Sequence, residues 1–233
     1  MDYPPHESIL LNEREFLVLL AAAGRGDWYG IADDGSLDWA QSETEMNEIL
    51  SSLYQKGLID WGDRAARIAD AYRPMFLVLR GATACVLMVR TDESDRIVSC
   101  YPLDDRIVTV EQNPNGTREL RLSYETAEEW AAGLMRNGWT PEMIQAEEPA
   151  GTFPPYEWDP QRDLREYLTD PGVISALELR TVPDGMLQER MIIRDAGLCG
   201  VLDRISRRGT VRDLCSPEAF RAALQTWSIG GEK

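Results

Sequence analysis

Residues 75–139 read MFLVLRGATACVLMVRTDESDRIVSCYPLDDRIVTVEQNPNGTRELRLSYETAEEWAAGLMRNGW. MFLVLRG, ACVLMVR, DRIVSCYP, RIVTVEQ and TRELRLS are short runs rich in Val, Ile and Leu, the composition of strands. Turn signals separate them at Gly81, Asp92 to Asp95, Pro102 to Asp105 and Asn113 to Gly116, and Asn115-Gly116 is a tight-hairpin pair. The period then changes. Tyr124 to Asn137 places Ala127, Trp130, Ala131 and Leu134 on one helical face, with Gly138 as its stop. The stretch predicts an antiparallel meander closed by an amphipathic helix.

Toward the C-terminus the same succession returns. A short helix from Pro141 and a linker, Pro149 to Pro160, come first; the linker holds four prolines together with Phe153, Tyr156 and Trp158. After a helix near Gln161 to Leu168, strands are expected at Val173 to Val182, Leu187 to Arg194, Leu198 to Ile205 and Thr210 to Leu214. A helix PEAFRAALQTW follows, capped by Ser216 or Cys215 with Pro217 in its first turn. The two joints, LRLSYETAEEWAAGLMRNGW and VRDLCSPEAFRAALQTWSIGG, share a serine near the strand end, a glutamate in the first helical turn, small residues and a late tryptophan. The expectation is an α+β fold of two halves related by a pseudo-two-fold, at 75–148 and 161–233, joined by the linker at 149–160.

Toward the N-terminus, residues 1–74 form a helical segment of their own. A helix is expected over Leu10 to Ala23, and Arg25 to Leu37 reads as a loop with a short strand at Trp28 to Ile31. Ser42 and Glu45 form a capping box for a helix running to Lys56 and ending at Gly57. A strand at Leu58 to Trp61 and a helix to Tyr72, stopped before Pro74, complete the segment. The order resembles a winged helix, which raises the possibility of a transcriptional regulator. Charge argues against it. These 74 residues carry six basic against fourteen acidic side chains, and the helix that would enter a groove presents Glu43, Glu45 and Glu48.

The full chain of 233 residues has a formal charge of −16, so nucleic acid and anionic membrane surfaces are poor partners. The only histidine is His6, which removes His-based triads and His-rich metal centres. P-loop, dinucleotide-fold, HExxH, GxSxG and EF-hand signatures are all missing, and no cofactor or metal is expected. Asp33-Asp34-Gly35 and Asp104-Asp105 lack cation-loop spacing, and Glu128-Glu129 and Glu147-Glu148 are adjacent positions that point apart. An enzyme would have to work through carboxylates or a thiol; Cys85, Cys100, Cys199 and Cys215 all lie in apolar or strand-like surroundings, which predicts buried thiols. The N-terminus has no signal-peptide pattern and no apolar run long enough to span a bilayer, so a cytoplasmic protein is expected.

Two groups are candidates for binding a protein. The linker aromatics Phe153, Tyr156 and Trp158, with Trp130 and Trp139 near the helix ends, are the kind of anchors interfaces favour. Six arginines between Arg190 and Arg212 face only Asp195 and Asp203, a local positive excess. Arg207 and Arg208 at its turn are candidates for docking an acidic partner, the alternative being strand arginines paired to nearby carboxylates. Of 24 basic residues only Lys56 and Lys233 are lysine, so forked donors dominate.

An apolar helix, a second helix ending LSSLYQKGLIDWGD, a helix RAARIADAYRP and the strands of 75–112 resemble the EspG family of type VII secretion chaperones. The matching joint is Leu53, Gly57, Leu58, Ile59 and Asp60, with Arg67 to Tyr72 as the helix that follows, and the resemblance covers about Leu10 to Ser123. It implies a non-enzymatic cytosolic protein with a pseudo-two-fold α+β fold that holds a helical export substrate.

Overall fold

The computed structural model describes residues 8–25, 43–62, 65–93, 97–112, 119–140, 153–182, 184–197, 199–216, 218–220 and 222–223. In chain order they form β1 (Ile9–Asn12), α1 (Glu13–Ala22), α2 (Glu43–Gln55), β2 (Ile59–Trp61), β3 (Ala66–Ile68) and α3 (Arg73–Gly81). Then come β4 (Ala84–Arg90), β5 (Val98–Leu103), β6 (Arg106–Gln112), β7 (Glu119–Thr126) and α4 (Ala127–Arg136). A 3-10 turn at Leu164–Thr169 precedes β8 (Val173–Thr181), β9 (Leu187–Asp195), β10 (Gly200–Ser206) and β11 (Gly209–Leu214), and residues 218–220 and 222–223 are helical. The architecture is α+β.

Nine strands make one antiparallel sheet in the order β1-β7-β6-β5-β4-β8-β9-β10-β11, and β2 and β3 form a separate hairpin. The junction is β4 against β8, in register from Ala84↔Thr181 to Arg90↔Ser175. From it, β5 to β7 fan out on one side and β9 to β11 on the other. Strand alternation sends successive side chains to opposite faces, and the two faces are covered differently. One face buries Met88, Cys100, Leu177, Met191 and Leu202 beneath Trp130 and Leu134 of α4 and Phe220 of the last helix. Over β4 to β7, the other face packs Tyr101, Val108, Val110 and Leu122 against Phe16 and Leu20 of α1, Leu53 of α2 and Phe76 and Leu79 of α3. Over β8 to β11 that same face carries Ile192 and Ile205, covered by Leu164, Tyr167 and Leu168 of the 3-10 turn. Each such fully buried Leu, Ile or Phe contributes roughly 1.5–3 kcal/mol.

The eight strands β4 to β11 match the sequence reading apart from their ends. The N-terminal segment departs from it in three places. Leu10 to Asn12 are strand, not helix: Ile9 and Leu11 are buried while Leu10 and Asn12 are exposed, and β1 pairs with β7 from Ile9↔Leu122 to Asn12↔Glu119. The helix starts one residue on, because Asn12 accepts from the Glu15 amide at 2.8 Å and the Glu15 carboxylate accepts from the Asn12 amide at 2.8 Å.

Residues 66–68, expected to be helical, are β3. Ile68 sits opposite Ile59, both buried, and Arg67 opposite Asp60. Residues 75–81, expected as the first strand of the meander, belong to α3. Pro74 stands in its first turn, where a missing N–H costs nothing, and buried Met75, Phe76, Val78 and Leu79 keep helical spacing. The 74/75 boundary therefore falls inside a helix, and through β1 residues 1–74 contribute a strand to the large sheet.

One helix start also moved. Tyr124 to Thr126 finish β7, and Thr126 and Glu129 form a capping box at α4, with the Glu129 amide donating to Thr126 Oγ1 at 3.1 Å. Ser216 caps the last helix, accepting from the Ala219 amide at 3.0 Å. The strand at Trp28 to Ile31, Ser42 of the first capping box, Asp33-Asp34-Gly35, the Asn115-Gly116 turn, the helix from Pro141 with Glu147-Glu148, Pro217 and His6 lie outside the described residues.

Candidate functional site

The linker aromatics fall on an irregular strap, residues 153–163, laid across β9 to β11. A proline-rich extended segment has no internal hydrogen bonds, so its carbonyls need donors from elsewhere. Here arginines supply them. Arg194 Nη2 donates to the Pro154 carbonyl at 3.0 Å, and Arg212 Nη1 to the Phe153 carbonyl at 2.7 Å. Thr210 Oγ1 donates to the Tyr156 carbonyl, and Arg190 to the carbonyls of Asp159 and Arg162.

The same guanidinium groups are neutralised from below by carboxylates on the sheet. Asp203, fully buried, accepts from Arg194 Nη2 at 2.7 Å and from Arg212 Nε at 2.6 Å and Nη2 at 2.7 Å. Glu178 accepts from Arg190 Nε at 2.7 Å and from Arg180 Nε at 2.7 Å, and Glu189 from Arg204 Nε at 2.8 Å. Glu178 stands directly across from Arg190 and Asp203 from Arg212 in the strand register. Arg190 and Arg212 thus divide their forks between a carboxylate and the strap, a division a lysine's point charge cannot make, while Arg194 gives Nη2 to both.

Ring contacts complete the attachment. The Arg194 guanidinium lies 4.1 Å from the Tyr156 ring centre and 4.8 Å from that of Phe153, and that of Arg162 lies 4.0 Å from Tyr167. Tyr156 meets Tyr167 edge to face at 5.1 Å and donates its hydroxyl to Asp170 at 2.7 Å. Burial, then the hydrogen bond to Asp170, push the Tyr156 hydroxyl's pKa well above its ordinary value. Trp158 rests against the core formed by Ile192, Ile205 and the 3-10 turn. Gly172 is the counterpart beneath Phe153. Its φ of +74° favours glycine, and a Cβ there would stand 2.7 Å from the Asp195 carbonyl and 2.8 Å from Phe153 Cζ.

The structure divides the candidate residues. Phe153, Tyr156 and Trp158 are half-buried on the strap, and Arg207 and Arg208 are exposed in the β10–β11 turn, two residues from the Thr210 that holds Tyr156. Among the described residues neither of these two arginines has an acidic partner. Trp130 and Trp139 are placed elsewhere: both lie buried in the core on the opposite face, where Arg90 stacks over Trp139 and Ser175 Oγ donates to its carbonyl at 2.8 Å. They are occupied in holding α4 to the sheet. Sequence reasoning missed Arg190, Glu178, Asp203 and Tyr167 as the strap's fastening, because their meeting depends on strand register.

Chemistry with a thiol finds no support in the geometry. All four cysteines are buried, and burial pushes Cys85 and Cys215 up to about 12 and Cys100 higher still. A thiol held neutral is a poor nucleophile. The expected result is that Ellman's reagent at pH 8 labels no thiol of the native protein within minutes and all four after denaturation; a thiol that reacts fast in the native state contradicts this burial. Among the described residues no group of three or more His, Cys, Asp or Glu gathers as a metal site, and no helix is long and apolar enough to cross a membrane.

No family model and no curated protein matches this chain. A solved structure does. The Mycobacterium tuberculosis type VII secretion system chaperone EspG5, in complex with the PE25-PPE41 dimer, shares the fold with a TM-score of 0.53 at 12% identity, over 94% of this chain and 95% of that chain. At that identity the likeness establishes the fold alone. The EspG resemblance read from residues 10–123 holds as a likeness of architecture, and it extends along nearly the whole chain.

Proposed function

We propose that this chain is a non-enzymatic cytosolic protein of the type VII secretion chaperone kind, holding a helical export substrate such as a PE–PPE pair before export. The observation that carries the reading is the end-to-end match to EspG5. In this reading β4 to β7 with α4, and β8 to β11 with the last helix, are two copies of one unit about a pseudo-two-fold at the β4–β8 junction. The helices α1 and α2 with the β2–β3 hairpin are a winged-helix-like layer used for packing. Its acidity, with Glu43 and Glu48 exposed on α2, sets α2 against the phosphates a recognition helix would meet.

The contact surface we assign is the rim of the strap, Phe153, Tyr156 and Trp158, with the Arg207-Arg208 turn beside it. An apolar helix tip would rest on the aromatics while the arginines meet its carboxylates. The test is affinity capture with the tagged chain from its own host, read by mass spectrometry, for wild type and for Trp158→Ala and Arg207→Glu/Arg208→Glu. A secreted helical protein retained by wild type and lost from both variants is expected. Retention of none, or a lowered melting temperature in Trp158→Ala with capture unchanged, overturns the assignment.

A further inference from the structure

The N-terminal layer holds a second surface of opposite character from its surroundings. Where the end of α1, β3 and α3 meet there is an open cleft of about 280 Å³, lined by Ala22, Ala23, Ala66, Ile68, Phe76 and Leu77 with Arg67, Arg73 and Arg80. Apolar side chains and three arginines line it, with no carboxylate among the lining residues. This occurs in residues 1–81, where acidic residues outnumber basic ones fourteen to seven.

All three arginines are exposed. Among the described residues Arg67 and Arg80 have no acidic partner, and Arg73 pairs at 2.7 Å only with Asp70, itself 87% exposed. A pair that open to water contributes little, about 0–1 kcal/mol, and exchanges readily for another carboxylate. On β9 to β11, by contrast, four arginines are tied down by Glu178, Asp203 and Glu189. Two large apolar side chains flank the cleft unburied. Leu77 is 49% exposed, and Trp61, 56% exposed, lies opposite the lining residue Ala66 in the hairpin register and so shares its face.

We propose that this cleft is a docking site for an acidic, amphipathic segment of a partner protein, separate from the strap surface and independent of the export-substrate reading. Carboxylates of the segment engage Arg67, Arg73 and Arg80 in forked pairs, while its apolar side chains rest on Leu77, Ile68 and Trp61. Three exposed arginines beside Ala22, Ala23 and Ala66 complement such a segment. The volume takes two or three side chains, below the size of a cofactor pocket. Nucleic acid carries phosphate well beyond the reach of three arginines, and would meet the acidic remainder of the layer.

The full chain is titrated into a fluorescein-labelled Asp/Glu/Leu peptide and followed by anisotropy, beside the same peptide with Asn and Gln in place of its acids and beside a single-stranded oligonucleotide. Saturable binding of the acidic peptide alone is expected, weakened roughly tenfold by Arg67→Glu or by Arg80→Glu and far less by Arg207→Glu/Arg208→Glu. Arg80→Glu on α3 serves where Arg67→Glu disturbs the hairpin, and far-UV circular dichroism checks each fold. The proposal is overturned by no saturable binding, by equal loss in the Arg207/Arg208 variant, or by equal binding of the oligonucleotide. A cleft filled by the chain's own residues would also give no binding and counts against it.

Discussion

Replacing Asp203 with alanine is expected to destabilise the protein by about 3–5 kcal/mol, the cost of leaving a buried charge without its partner. The carboxylate is fully buried and is the common acceptor of Arg194 and Arg212. Without it two guanidinium groups face each other inside the sheet, and both hold the strap through the carbonyls of Phe153 and Pro154. The loss corresponds to a melting temperature lower by roughly 10 °C in a chain of this size. Limited proteolysis should then cut within residues 153–162 before any other described segment. Asp203→Asn keeps the shape and one of the two acceptor oxygens and is expected to lose less. A melting temperature within a degree or two of wild type for Asp203→Ala would show that the arginines find other partners and that the strap does not depend on them.

The second large effect is expected at Glu15. This buried side chain satisfies three donors: the Asn12 amide at the β1–α1 joint at 2.8 Å, Ser52 Oγ on α2 at 2.6 Å, and Lys56 Nζ just past the end of α2 at 2.6 Å. Lys56 also reaches the Leu10 carbonyl at 3.2 Å, so one lysine and one glutamate tie β1, α1 and α2 into a layer. Glu15→Ala removes half the capping box and strands the Ser52 hydroxyl, for an expected loss of about 2–4 kcal/mol. Glu15→Gln retains an acceptor for Asn12 and should lose less. Urea denaturation measures both; equal midpoints for wild type and Glu15→Ala would mean that water replaces the carboxylate at no cost.

Much of the large sheet was legible because its strands are short, β-branched and bounded by strong turn residues. The errors cluster where two periods fit the same residues. MFLVLRG is an apolar run of strand length, and only its buried positions, 75, 76, 78 and 79, identify it as a helix. Pro74 was read as the end of one helix when it starts the next. In RAARIADAY, Ala66, Ile68 and Ala69 fit a helix face as well as a strand, and pairing of Ile59 with Ile68 decides for the strand. At the candidate site the excess of arginine between 190 and 212 was visible, and so was its bland explanation. The particular partners were not, because Glu178 meets Arg190 and Asp203 meets Arg194 only through the register of neighbouring hairpin strands, which strand composition does not set. The pairs explain why forked donors rather than lysines occupy these four positions.

The β4–β8 junction has a consequence for synthesis. When the ribosome has delivered Thr126, strands β4 to β7 are present and can pair, yet β4 still presents a bare edge, because Val173, the first residue of its partner, lies 47 residues further on. At about 5–20 residues per second that edge stays open for roughly 2–10 s. It is a seven-residue strand in which Cys85, Val86, Leu87, Met88 and Val89 are all apolar, the kind of edge that recruits strands from other chains. The half-made sheet is therefore itself in need of cover during translation, and the segment between the halves sets how long that exposure lasts.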